Sequence, residues 1–119
     1  MSPLAETIYA SLRSRLSSPA DPRITYGELA RQLRDTAVEF DSIFPRSPEL
    51  YAALREIGQE CRRLDLPPLP ALVVRADTRR PGLAYYGSKD SQTSYKGEQI
   101  AAWRRDLEAV QQTTYPARY

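Results

Sequence analysis

In the stretch SPELYAALREIGQECRRL, Arg55, Gln59, Arg62 and Arg63 recur at helical spacing, opposite an apolar face of Leu50, Leu54, Ile57, Cys61 and Leu64. Arginine and glutamine on one helix face can reach phosphates or base edges, so this is a candidate surface. Glu49, Glu56 and Glu60 run along one flank. The same face therefore also reads as a solvated surface laced with Glu–Arg pairs, such as Glu56 with Arg63, which usually contribute little. A second candidate is the turn DTRRPG, with Arg79 and Arg80 side by side. Two arginines at a hairpin tip suit contact with a phosphate backbone, although an exposed turn also tolerates them without a function. Tyr26, in ITYGELARQL, can offer its hydroxyl to a phosphate or pack its ring into the core. The stretch AYYG with Lys89, Tyr95 and Lys96 mixes aromatics and cations able to stack on bases or sugars, but eight tyrosines make such meetings common by chance.

Residue types exclude other chemistry. The chain has no histidine, which removes the commonest general base and zinc ligand. Cys61 is the single cysteine, so neither an intramolecular disulfide nor a cysteine-rich metal site can form. Glu56 and Glu60 share a helix flank without an activated nucleophile or metal-ligand partner nearby in sequence. The expectation is a chain that is not an enzyme and uses no cofactor. A net charge of +2 is too small to diagnose a polyanion partner, but its basic residues are mostly arginine, which favours bidentate contacts to phosphate or carboxylate. No apolar run approaches membrane-spanning length and the N-terminus lacks a leader pattern, so the expected setting is the cytoplasm of a bacterium or of a phage-infected cell.

These residues need elements to position them. SPLAETIYASLRSRL predicts a helix over about 3–17, with Ser2 as cap, Pro3 in the first turn and Leu4, Ile8, Leu12 and Leu16 along a drifting stripe. SSPADPR reads as a loop. Thr25 and Glu28 have capping-box spacing, which predicts a second helix over about Tyr26–Arg34 that buries Leu29, Ala30 and Leu33. Gly27 in its first turn is open to a close-packing role. DTAVEFDSIFPR either extends that helix or turns with Phe40, Ile43 and Phe44 inward. Ser47 then caps and Pro48 opens the helix over 48–64, and DLPPLP ends it. ALVVRA suits a strand, DTRRPG a turn and LAYYG a return, which together predict a hairpin over Ala71–Tyr86. SKDSQTSYKGE is polar and reads as a loop. A final helix over about 98–112 buries Ile100, Trp103, Leu107 and Val110, and the tail TTYPARY is weakly ordered unless it docks.

ITYGELA, followed after an amphipathic helix by LPPLPALVVRADTRRPGLAYYG, resembles the DNA-binding domain of alkylguanine-DNA alkyltransferases and alkyltransferase-like proteins. The similarity spans about Ile24 to Tyr86, with Thr25, Tyr26, Gly27, Ala30, Val73 and Val74 matching best. It implies a winged helix-turn-helix whose second helix enters a DNA groove. Where the family has Cys-His-Arg ahead of its two valines, this chain has Pro70, Ala71 and Leu72, so the resemblance does not imply alkyl transfer. Cys61 belongs to an apolar helix stripe and is no substitute. The family's intercalating arginine has no clear counterpart.

Taken together, the expected fold is α+β and mainly helical: a single domain over 1–119, with a winged helix-turn-helix-like unit over about 24–87, one β-hairpin and an additional helix at each end. The expected function is non-catalytic binding of nucleic acid, double-stranded DNA in particular, through Tyr26, Arg55, Gln59, Arg62, Arg63, Arg79 and Arg80. The alternative is a protein-binding module (an inhibitor, antitoxin or assembly subunit) on the same fold, with exposed Tyr and Arg as anchors. A homodimer through the terminal helices is compatible with either.

Overall fold

In the computed structural model, residues 2–18, 20–81 and 96–117 are described, with residues 96–99 described by their backbone alone. The chain is α+β and mainly helical. Helix α1 spans Pro3–Arg15, strand β1 Ile24–Thr25, helix α2 Tyr26–Thr36, helix α3 Pro48–Arg63, strand β2 Val73–Val74 and helix α4 Lys96–Gln111. Short 3-10 turns lie at Val38–Phe40 and Leu69–Leu72.

Local chemistry explains the helix starts. The Ser2 hydroxyl accepts the Ala5 N–H (3.2 Å), and Pro3 supplies a first-turn residue with no N–H to satisfy. At α2 both halves of the capping box form: the Thr25 hydroxyl accepts the Glu28 N–H (3.1 Å) and the Glu28 carboxylate accepts the Thr25 N–H (3.3 Å). Ser47 differs from expectation. Its hydroxyl accepts the Phe44 N–H (2.8 Å) and donates to the Ser42 carbonyl (3.3 Å), so it ties the preceding loop and makes no side-chain cap to α3. Helix α3 ends in a Schellman closure, with Leu66 N–H on Cys61 O (2.8 Å), Asp65 N–H on Arg62 O (3.1 Å) and Asp65 left-handed at φ 57°.

The core gathers Ile8 and Leu12 of α1, Leu29 and Leu33 of α2, Leu50, Ile57 and Cys61 of α3, the turn Leu69–Leu72, and Trp103 and Val110 of α4. Ile100 and Leu107, predicted to be buried, are half-buried. Phe40 and Ile43 tuck inward as one reading had it, whereas Phe44 remains 53% exposed beneath the Arg34 guanidinium (4.6 Å to the ring centre).

The described sheet is a pairing that the sequence did not suggest. Strand β2 pairs with β1 in parallel, Ile24 opposite Val73 and Thr25 opposite Val74, so α2 and α3 form the crossover between them. Ala71 and Leu72, expected to open the strand, lie in the 3-10 turn, where Pro70 fits a tight bend better than a ladder. The turn after β2 closes as a hairpin turn does, with Arg75 N–H on Arg80 O at 2.8 Å. The returning segment of the predicted hairpin lies outside the described residues.

The tail docks. Tyr115 is 3% exposed and donates its hydroxyl to Pro67 O (2.5 Å), Arg13 Nε donates to Tyr115 O (2.9 Å), and Tyr9 donates to Pro116 O.

Candidate nucleic-acid interface

An α-helix turns about 100° per residue, so the residues outside the apolar stripe of α3 divide into two flanks. Tyr51, Arg55 and Arg62 follow one flank, Glu49, Glu56 and Glu60 the other, with Gln59 and Arg63 between them. On the acidic flank Glu49 is exposed, whereas Glu56 and Glu60 are engaged. Glu56 accepts hydrogen bonds from the Ser2 N–H (3.0 Å) and hydroxyl (3.1 Å), which fastens the start of α1 to α3. Glu60 accepts from the Arg63 guanidinium, Nε at 2.7 Å with Nη2 adding a second contact, and this partner holds the Glu60 carboxyl below its ordinary pKa. Arg63 therefore pairs with Glu60, one turn away, in place of the expected Glu56.

Arg55, Gln59, Arg62 and Arg63 are all exposed. Arg63 is separated from the other two arginines by its ion pair. The side chains of Arg55 and Arg62 make no hydrogen bond or ion pair among the described residues, and both stand on the flank that carries Tyr51.

That flank borders a tyrosine pair. Tyr26, at the start of α2, is only 8% exposed, and its ring meets Tyr51 at 5.6 Å between centroids with a 56° tilt. The hydroxyl-to-phosphate role considered for Tyr26 thus falls on a largely packed residue, while Tyr51 is its more accessible, half-buried neighbour. Arg75, directly after β2, is held bidentately by Asp77 (Nε–Oδ1 3.0 Å, Nη2–Oδ2 2.7 Å). Asp77 raises the Arg75 guanidinium above its ordinary pKa, and the hydroxyls of Tyr51 and Tyr26 lie near enough to add to that shift. Arg75 thereby lies near the tyrosine pair at the edge of the α3 flank.

In that turn Arg79 and Arg80 are both exposed. Arg79 N–H donates to Arg75 O (2.9 Å), and Arg79 adopts φ 58°. Across from it, Asp21 is gripped by Arg23 through Nε to both carboxylate oxygens (3.0 Å each) and Nη2 to Oδ2 (2.6 Å). The Arg23 hydrogen bonds lower the Asp21 carboxyl to about 2, and Arg79 lies close enough to contribute.

Much of the arginine content is structural. Arg15 bonds the Pro22 and Arg23 carbonyls (2.7 Å each), Arg34 the Ile43 carbonyl (2.6 Å) and Arg13 the Tyr115 carbonyl. Tyr51 and Arg75 escaped sequence reasoning. Tyr51 was detectable as the residue one turn before Arg55 on the same stripe; Arg75 became relevant only once β2 was set beside β1 and α2. Of the aromatic–cation stretch, Tyr85, Tyr86, Lys89 and Tyr95 lie outside the described residues, as does the side chain of Lys96.

The Cys61 thiol is buried, and burial pushes its pKa up, which disfavours the nucleophilic thiolate. Among the described residues, no helix is long and apolar enough to cross a membrane. The chain matches no family model, no curated protein and no solved structure.

Proposed function

We propose that this chain is a non-catalytic nucleic-acid-binding protein whose ligand is double-stranded DNA, with α3 and the Arg75–Arg80 turn serving as the recognition helix and wing of a winged helix-turn-helix-like unit. The observation that carries the reading is the segregation of charge on α3. Its carboxylates Glu56 and Glu60 are occupied by Ser2 and Arg63, while Arg55 and Arg62 stand exposed on the opposite flank beside Tyr51, their side chains unpaired among the described residues. Such a strip can neutralise phosphates along a groove edge. The positions that hold Cys-His-Arg in the resembling family are here Pro70, Ala71 and Leu72, all buried and none a nucleophile, in keeping with binding alone.

Arg55→Ala/Arg62→Ala should remain folded, since both side chains are exposed, and should weaken binding to a mixed-sequence duplex by roughly 10-fold or more at moderate salt. Fluorescence anisotropy across a salt series reads this directly. Absence of duplex binding by the folded wild type at low salt would refute the proposal.

A second reading has its own observation. Val38, 84% exposed, and Phe44, 53% exposed, lie on the connection between α2 and α3 and offer apolar anchors to a protein partner.

A further inference from the structure

Arg79 holds a backbone conformation that its residue type disfavours. At φ 58° it sits in the left-handed region, where Cβ crowds the following carbonyl in any residue but glycine. Hydrogen bonds define the setting: Arg75 N–H reaches Arg80 O and Arg79 N–H reaches Arg75 O, so Arg79 is the last residue of a four-residue hairpin loop. Glycine or asparagine is the ordinary solution at a left-handed turn position. The glycine of DTRRPG stands at 82 instead.

The fold gives the Arg79 side chain little in return. It is exposed and makes no hydrogen bond or ion pair among the described residues. Asp21, the nearby carboxylate, already takes four hydrogen bonds from Arg23, three from its guanidinium and one from its backbone N–H, which leaves Arg79 only a through-space attraction. The neighbouring cations differ. Arg75 is committed to Asp77, and Arg80 stands at an ordinary backbone conformation, so an arginine there strains nothing. Asp65, the other non-glycine residue at positive φ among the described residues, ends α3, and aspartate tolerates this region better than arginine.

We infer that Arg79 is the principal anion-contacting residue of the Arg75–Arg80 turn, kept at a strained position because its guanidinium engages a backbone phosphate of duplex DNA. This rests on the proposed function and goes beyond it by separating Arg79 from its neighbours and by setting stability against binding at one residue. A residue chosen for the fold alone would be glycine.

The test compares wild type, Arg79→Gly and Arg79→Lys by thermal unfolding and by anisotropy on a short mixed-sequence duplex over a salt series. Arg79→Gly should melt higher by about 3–6 °C, because glycine occupies the left-handed region without strain. The same variant should bind roughly 3- to 10-fold more weakly, with a salt dependence shallower by about one unit of slope, as loss of one phosphate contact requires. Arg79→Lys should keep the wild-type slope and melting temperature. Arg79→Gly binding with wild-type affinity and slope would overturn this inference while leaving the α3 interface standing. A glycine variant that melts no higher would also overturn it, by removing the strain. Wild type that fails to bind duplex would take down the interface reading and this inference together.

Discussion

At the residue scale the loop before β1 couples ionisation to folding. Hydrogen bonds from the Arg23 guanidinium, with a further one from its backbone N–H, hold the Asp21 carboxyl at about 2, against 3.8 ordinarily. A carboxylate with a lowered folded-state pKa stabilises the fold above its unfolded value, and that contribution is lost as pH falls through the folded value. The window therefore lies between about pH 4 and about pH 2. Side-chain exposures of 31% for Arg23 and 48% for Asp21 admit solvent screening, which keeps the pair below ~1 kcal/mol. Asp21→Asn should accordingly be less stable than wild type near neutral pH, by a margin that shrinks as pH approaches about 2. Urea unfolding of both proteins along a pH series measures the margin; one independent of pH would assign the effect to geometry instead of charge.

At the scale of elements, the start of α2 separates what the Thr25-Tyr26-Gly27 segment does. Thr25 caps, Tyr26 packs against Tyr51, and Gly27 has room: a Cβ there would meet Pro45 Cγ at 3.8 Å and Thr25 Oγ1 at 3.9 Å, ordinary contact distances. The close-packing role open to Gly27 in the sequence is thus not required by its surroundings. Thr25→Ala should cost about 1 kcal/mol through loss of the capping box. Gly27→Ala should stabilise by roughly 0.5–1 kcal/mol, because alanine loses less conformational freedom on entering a helix. Chemical denaturation distinguishes the two by sign. A destabilised Gly27→Ala would reveal a backbone demand that the Cβ geometry does not contain.

At the scale of the whole molecule, the two ends of the described chain are locked together. The Tyr115 ring is buried, its hydroxyl bonds Pro67, and its carbonyl bonds Arg13 of α1, while Tyr9 of α1 reaches Pro116. Burial, with the nearby Cys61 thiol adding to it, pushes the Tyr115 hydroxyl above the ordinary tyrosine range, as expected where the tail closes over α3. Tyr115→Ala should therefore cost about 3 kcal/mol, as large-to-small changes in packed sites do, whereas Tyr115→Phe should lose only about 1 kcal/mol with its hydrogen bond. Equilibrium unfolding of both variants tests the prediction; near-equal small losses would mean that the tail rests on the surface without sealing it.

What the sequence determined alone was local. The Ser2 cap and the Thr25–Glu28 box act across three residues, and the α3 stripe from Leu50 to Cys61 follows helical period, so each is written in neighbouring residues. The burial of Cys61 and of Trp103 followed from the same periodicity. Tertiary structure decided the rest, because the outcome depended on a distant segment arriving. Val73–Val74 found Ile24–Thr25 as a parallel partner, which local alternation cannot specify. Ser47 turned its hydroxyl to its own loop, and Tyr115 docked because Pro67 and Arg13 presented a carbonyl and a donor. The candidate interface divides the same way. Arg55 and Arg62 were legible as a helix face and the Glu60–Arg63 pair is local to α3, but the capture of Glu56 by Ser2 and the packing of Tyr51 on Tyr26 needed segments that only the assembled fold brings into range.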